Sequence, residues 1–219
     1  MPYSAVIFDL DGTLLDTLAD IAESGNRVLG SHGLRTFEVD DYRQWVGQGL
    51  RRLLERVIPP GDEQEPLIET CIREFREVYS REWNVRTRPY PGVLELLGLL
   101  TSRGVRMAVL SNKPHEFARR CVEHYFADTP FEAVLGEGNG IPPKPDPTGA
   151  RRIIDRIGLA PEEFVYLGDT PTDMTTAVAA GVLPVGVTWG FRPREELQSA
   201  GAMHLIERPG ELVGVLERP

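Results

Sequence analysis

The chain has 219 residues, 41% of them apolar, and a formal net charge of −9. That is enough apolar material for one large domain or for a core with an insertion. The acidic balance argues against a nucleic-acid groove or an anionic membrane surface, since both need clustered positive charge. Only two cysteines occur, Cys71 and Cys121, too far apart in sequence for a disulfide framework, and they read as buried free thiols. No basic, cleavable apolar leader opens the sequence, and no apolar run approaches the ~18 residues of a membrane span. A soluble, cytoplasmic protein is expected.

Residues 3–8 form the first short apolar run, read as a buried strand that stops at the acidic loop Asp9-Leu10-Asp11-Gly12-Thr13. The next strand does not come until residues 105–110. Between them, residues 14–30, 39–46, 50–58 and 65–83 read as helical, with Pro59-Pro60-Gly61 as a break. Leu50, Leu53, Leu54, Val57 and Ile58 make one apolar face, and Leu67, Ile68, Cys71, Ile72, Phe75 and Val78 another. A crossover this long predicts an inserted helical domain, residues 16–85. It leaves near Leu15-Asp16-Thr17, returns near Arg88-Pro89-Tyr90-Pro91-Gly92, and should sit over the acidic loop as a lid.

From residue 91 onward, helices at 91–103, 115–125, 148–157, 172–180 and 194–199 alternate with strands at 105–110, 131–135, 164–167 and 184–187. That alternation predicts a five-stranded parallel α/β sheet covered on both faces, built from residues 1–15 and 86–219. Pro114 and Pro171 suit first helical turns, and Gly104, Gly158 and Gly181 suit helix ends.

Ligands gather at the carboxyl ends of strands in such sheets, and four strand-end loops carry chemistry. The first holds Asp9 and Asp11, two acids close enough to bind a cation and to divide attack from proton handling. The second, Ser111-Asn112-Lys113-Pro114, opens a helix and offers a phosphate seat. The third, Pro143-Lys144-Pro145-Asp146-Pro147, is a stiff turn fixing one lysine. The fourth, Gly168-Asp169-Thr170-Pro171-Thr172-Asp173, supplies two acids four residues apart. Lys113 and Lys144 are the only lysines among 24 basic residues, and a compact ammonium is not always replaceable by a guanidinium. Lys144 completes the acidic constellation, whereas Lys113 reads as a surface turn residue. The set fits Mg²⁺-dependent phosphoryl transfer. A calcium loop does not fit, because the glycine comes too early and no closing Glu follows.

Phe8-Asp9-Leu10-Asp11-Gly12-Thr13-Leu14 with Asp16, then Ser111-Asn112, Lys144-Pro145, and Gly168-Asp169-Thr170 with Asp173 resemble, in order, the four motifs of the haloacid dehalogenase superfamily. The resemblance spans almost the whole chain. It implies a Rossmann-like core, with the helical insertion as a C1-type cap that governs substrate specificity. It also implies Asp9 as the nucleophile that forms an aspartyl-phosphate, and Asp11 as the acid that protonates the leaving oxygen and then activates water. Mg²⁺ would be held by Asp9, Asp169 and the main-chain oxygen of Asp11, with Asp173 in support. Ser111, with Thr13 and Asn112, would hold the phosphoryl group, and Lys144 would orient Asp9 and the phosphate.

Asp11 favours a phosphate ester over a halide, which needs no proton on leaving. A Schiff-base phosphonate hydrolase needs a cap lysine, and this insertion has none. Trp45-Val46-Gly47-Gln48-Gly49-Leu50, Pro89-Tyr90-Pro91-Gly92-Val93, Ser111-Asn112-Lys113-Pro114 and Val187-Thr188-Trp189-Gly190 resemble phosphoglycolate phosphatases. On that resemblance the cap turn at 47–51 faces the substrate, and Arg51 could meet a small carboxylate. The expected partner is thus a small anionic phosphorylated metabolite, with monomer and homodimer both open. Alternatives are a sugar-phosphate phosphatase, a pyrophosphatase or a phosphomutase of the same superfamily. A non-catalytic phospho-acceptor or metabolite-binding protein is a further class. Trp189, Cys71 and Cys121 read as packing, and the four histidines show no ligand spacing.

Overall fold

A computed structural model describes residues 3–138 and 140–217. The first strand, β1 (Ala5–Phe8), is fully buried, as its unbroken apolar run requires of a strand covered on both faces. A two-residue strand β2 (Leu15–Asp16) and helix α1 (Leu18–Ser31) follow. Next come a 3₁₀ turn (Val39–Gln44), α2 (Leu50–Val57) and α3 (Gln64–Glu82). The chain returns through β3 (Arg88–Pro89), α4 (Val93–Ser102), β4 (Arg106–Pro114), α5 (His115–Tyr125), β5 (Phe131–Glu137) and α6 (Thr148–Ile157). It ends with β6 (Phe164–Gly168), α7 (Pro171–Ala180), β7 (Leu183–Val187), α8 (Arg194–Ser199), β8 (His204–Ile206) and α9 (Leu212–Leu216).

The parallel sheet has the order β5-β4-β1-β6-β7-β8. It has six strands, not the expected five. The extra one, β8, pairs in parallel with β7 through only three residues, of which only Ile206 is buried, so its sequence carries no apolar run to announce it. Side chains alternate across the sheet: Val6 and Phe8 enter one core, Ala5 and Ile7 the other. The first core runs on without a break into the helical insertion. Tyr79 of α3 meets Phe117 of α5 edge-on at 5.1 Å, and Trp83 meets Tyr125 at 5.9 Å.

α3 buries Ile68, Cys71, Phe75 and Tyr79, a stripe at helical spacing that ends at Tyr79, one residue beyond the expected face. Cys71 and Cys121 are free and buried. No helix among the described residues is long and apolar enough to cross a membrane.

The segment expected to run as helix from residue 14 begins instead as β2. Its two residues pair antiparallel with β3, Leu15 with Pro89 and Asp16 with Arg88, where the chain enters and leaves the insertion. Asp20, buried in the first turn of α1, locks the same junction. Its carboxylate accepts from Arg86 N at 2.9 Å, Thr87 N at 2.9 Å and Thr87 Oγ1 at 2.7 Å. Asp20→Ala would leave those donors unpaired, and should cost about 2–4 kcal/mol of stability. Urea unfolding of the variant beside wild type measures this, and a loss below about 0.5 kcal/mol would contradict the lock.

Candidate active site

The strand order reverses at β1, with β4 on one side and β6 on the other, so the carboxyl ends of three strands open into one crevice. Asp9 follows β1, Asp169 follows β6, and Ser111-Asn112-Lys113 lies within β4 rather than in a loop after it. The β4–β5 register shifts between Leu110 and Pro114, an irregularity of the kind that re-aims side chains beside active sites.

Asp9, Asp169 and Asp173 are buried and bring carboxylate oxygens within 4.8 Å of one another. Lys144 is their counter-charge. Its Nζ lies 2.6 Å from Asp173 Oδ1 and 2.8 Å from Asp9 Oδ1, and also donates to Leu110 O. Asp173 is fully engaged. Its Oδ2 accepts from Thr170 N at 3.0 Å and Thr170 Oγ1 at 2.7 Å, which caps the N-terminus of α7, while Oδ1 takes Lys144. Helix capping and lysine positioning are therefore one role.

Asp169 accepts from Thr13 Oγ1 at 3.0 Å and from Phe191 N at 2.8 Å. A Cβ at Gly12, whose φ is +89°, or at Gly190 would collide with this carboxyl group. Only glycine lets both chain segments close on Asp169.

Asp9 Oδ1 differs from the rest. It is buried, and although it is at ion-pair distance from Lys144 it accepts no hydrogen bond. Three buried carboxylates against one ammonium leave an excess of negative charge. Burial, then Asp173, push the Asp9 carboxyl up from 3.8 to about 7 against the pull of Lys144. Burial and Asp9 likewise raise Asp169 well above the carboxylate range. An orphaned oxygen in an over-acidic, all-oxygen pocket suits a hard divalent cation. Asp9 and Asp169 have the capacity to hold it, whereas the Asp173 oxygens are spent within the protein.

The remaining expected residues separate. Thr13 orients Asp169 with its hydroxyl, and its carbonyl accepts from Trp189 Nε1 at 3.0 Å, so Trp189 does more than pack. Ser111 lines the cavity in front of Asp9, and its hydroxyl accepts from Lys113 N at 3.2 Å. Asn112 also lines it, with its amide committed to Gly47 O, Lys144 O and Lys144 N. Arg51 does not line the cavity. Its guanidinium bonds Glu65 and Glu69, both exposed.

The largest departure is Lys113. It is buried, with Nζ 2.9 Å from Asp11 Oδ1 and 2.8 Å from the Tyr79 hydroxyl. Burial works against its charge, but Asp11 outweighs it and the ammonium is held well above the usual lysine range. The surface-turn reading fails because the partner, Tyr79, is supplied from 34 residues away. The available signal was compositional, since Lys113 was one of two lysines the chain retained.

Residues 6–187 match the family model of haloacid dehalogenase-like hydrolases, and the chain belongs to that family. It is 32% identical to the phosphoglycolate phosphatase of Rhodospirillum rubrum, over 93% of this chain and 86% of that protein. Against the phosphoglycolate phosphatase of Aquifex aeolicus it is 30% identical, over 97% of this chain and 96% of that one. The crystal structure of a candidate phosphoglycolate phosphatase from Lactobacillus delbrueckii subsp. bulgaricus superposes with a TM-score of 0.91 at 31% identity, covering 99% of each chain. Within the family the chain is a phosphoric monoester hydrolase.

A cation and protons compete for Asp9. Between pH 3.8 and about 7 the folded protein keeps a proton there that the unfolded chain has released. Without a cation, stability at this group therefore falls as pH rises through that window. Added Mg²⁺ should raise Tm more at pH 8 than at pH 5.5, as thermal unfolding with and without the ion at each pH would show. Equal increments at both pH values would exclude competition at Asp9.

Proposed function

We propose that this chain is a Mg²⁺-dependent phosphatase of the cytoplasm, which hydrolyses a small phosphate monoester, phosphoglycolate foremost, through an aspartyl-phosphate on Asp9. The observation that carries the reading is the unbonded Asp9 Oδ1, buried beside Lys144 and Asp169 at the floor of a cavity of about 50 Å³. A nucleophile must have an uncommitted lone pair, and this oxygen has one. Mg²⁺ held by Asp9 and Asp169 would draw charge from the phosphoryl oxygens.

Asp9 attacks phosphorus while Lys144 holds its carboxylate in line and offsets the charge on the phosphoryl group. The phosphorus–oxygen bond to the leaving group breaks, and Asp11 delivers the proton that the departing oxygen needs. Asp11 then takes a proton from water, which attacks the aspartyl-phosphate and frees Asp9 and phosphate. Lys113 fixes the Asp11 carboxylate for both transfers. The main-chain amides beside Ser111, with its hydroxyl, provide the phosphoryl seat.

In this reading residues 16–85 form a lid on the α/β core. Val46, Gly47, Gly49, Leu50 and Leu53 of the insertion wall the cavity opposite Asp9. The lid is tied down by Asn112, which donates to Gly47 O, and by Arg192, whose guanidinium bonds the carbonyls of Arg43, Gln44 and Val46. Closure excludes water from the reacting group.

Phosphate release from phosphoglycolate and from p-nitrophenyl phosphate should require Mg²⁺ and vanish with a chelator. Asp9→Asn and Asp169→Asn should each lower kcat by at least about a thousandfold. Wild type without turnover on either ester, or Asp9→Asn matching it, would end the proposal. Arg192→Ala should loosen the lid and raise KM by about three- to tenfold, with a smaller change in kcat. Steady-state kinetics on phosphoglycolate reads both.

A further inference from the structure

The cavity wall facing Asp9 is almost wholly apolar: Ile21, Val46, Leu50, Leu53, Phe75 and Phe117. Besides Asp9, Asp11, Ser111 and Asn112, two polar groups from distant elements meet at the lining, the ammonium of Lys113 on β4 and the hydroxyl of Tyr79 on α3. Both side chains are buried, with Lys113 6% and Tyr79 1% exposed. Lys113 has three N–H donors. One serves Asp11 and one the Tyr79 hydroxyl, and among the described residues no acceptor takes the third. Tyr79 accepts that bond, and among the described residues nothing accepts its own O–H. Two adjacent donors, their heavy atoms 2.8 Å apart, thus remain unspent at the wall of this cavity.

An unspent buried donor costs stability unless a ligand satisfies it. A sugar would bring several hydroxyls against the apolar stretch of the wall, where Ile21, Val46, Leu50, Leu53, Phe75 and Phe117 leave them unpaired. A short group ending in a carboxylate brings two acceptors to two donors, and its charge strengthens each bond. Arg51, the cation at the start of α2, is paired with Glu65 and Glu69 and does not line the cavity.

We propose that the Lys113 ammonium and the Tyr79 hydroxyl together seat a carboxylate on the substrate's leaving group, so that the substrate class is a phosphorylated small hydroxy acid. This rests on the phosphatase reading for the identity of the phosphoryl end, but the seat itself does not depend on turnover. Lys113 then serves two ends of the reaction, steadying the proton donor Asp11 and holding the far end of the molecule that receives the proton. Tyr79 is the group specific to recognition, because it touches Lys113 and not Asp11.

The test compares phosphoglycolate with ethyl phosphate, which matches it in size but carries no carboxylate. In Tyr79→Phe the ratio of kcat/KM for phosphoglycolate over ethyl phosphate should fall by about tenfold or more, mainly through KM. Lys113→Met should lose activity on both esters, through Asp11, and should lose the preference as well. A second measurement needs no catalysis: tens of millimolar glycolate should raise the Tm of wild type more than ethylene glycol with matched salt. Tyr79→Phe and Lys113→Met should abolish that difference. A Tyr79→Phe enzyme with an unchanged substrate ratio, or a glycolate effect that survives both substitutions, would overturn the seat. Wild type inert toward every ester yet stabilised by glycolate in a Tyr79-dependent way would instead overturn the phosphatase reading and leave the seat standing.

Discussion

Around the Lys144 ammonium three carboxylates are packed out of reach of water, and only two of them touch it. Each buried charge needs compensation, and the surrounding structure distributes it unequally. Asp173 receives the ammonium, a main-chain N–H and a threonine hydroxyl. Asp169 receives one hydroxyl and one main-chain N–H. Asp9 receives only the ammonium's field. This gradient, from saturated to nearly bare, separates an acid that holds the framework from an acid whose buried oxygen no hydrogen bond claims. Even Gly12 and Gly190 follow from it, since any side chain there would displace Asp169.

The sheet makes that concentration of charge possible. β1 is flanked in register by β4 and β6, so the residues leaving these three strands emerge side by side. The hydrogen bond from Asp9 N to Leu167 O fixes the start of the acidic loop against β6. Asn112, using both ends of its amide, anchors the main chain of Lys144 to β4. The lysine therefore reaches the acids from a main chain held at its own N–H and C=O, and its ammonium is fixed in turn by Leu110 O, Asp173 and Asp9. The helical insertion contributes the remaining wall by sharing one apolar core with the sheet.

How far the sequence discloses this depends on the range of each interaction. β1, β4 and β6 are announced by continuous apolar runs. Asp9, Asp169 and Lys144 are legible because each follows a strand or sits in a stiff turn, and the fold brings them together. β2, β3 and β8 are not legible, since two or three residues carry no periodic signal and exist only through their pairing. Lys113 is misread for a related reason: its proline-flanked setting suggests a surface turn, while a tyrosine in another element and a register shift in β4 draw it inside. Arg51 follows the opposite course. Its place off the apolar face of α2 is readable, but the carboxylates that claim it, Glu65 and Glu69, lie on and project from the next helix. Asp20 carries no local mark of its importance, because what it binds is main chain 66 and 67 residues further on.

The seclusion of both lysines has a practical corollary. Lys113 and Lys144 are 6% and 4% exposed, and the chain has no other lysine side chain. Acylating reagents aimed at primary amines therefore find no lysine on the native surface, and both become targets once the chain opens. Covalent labelling at these two positions, followed by mass spectrometry, would act as a clock for how often the crevice is breached under native conditions.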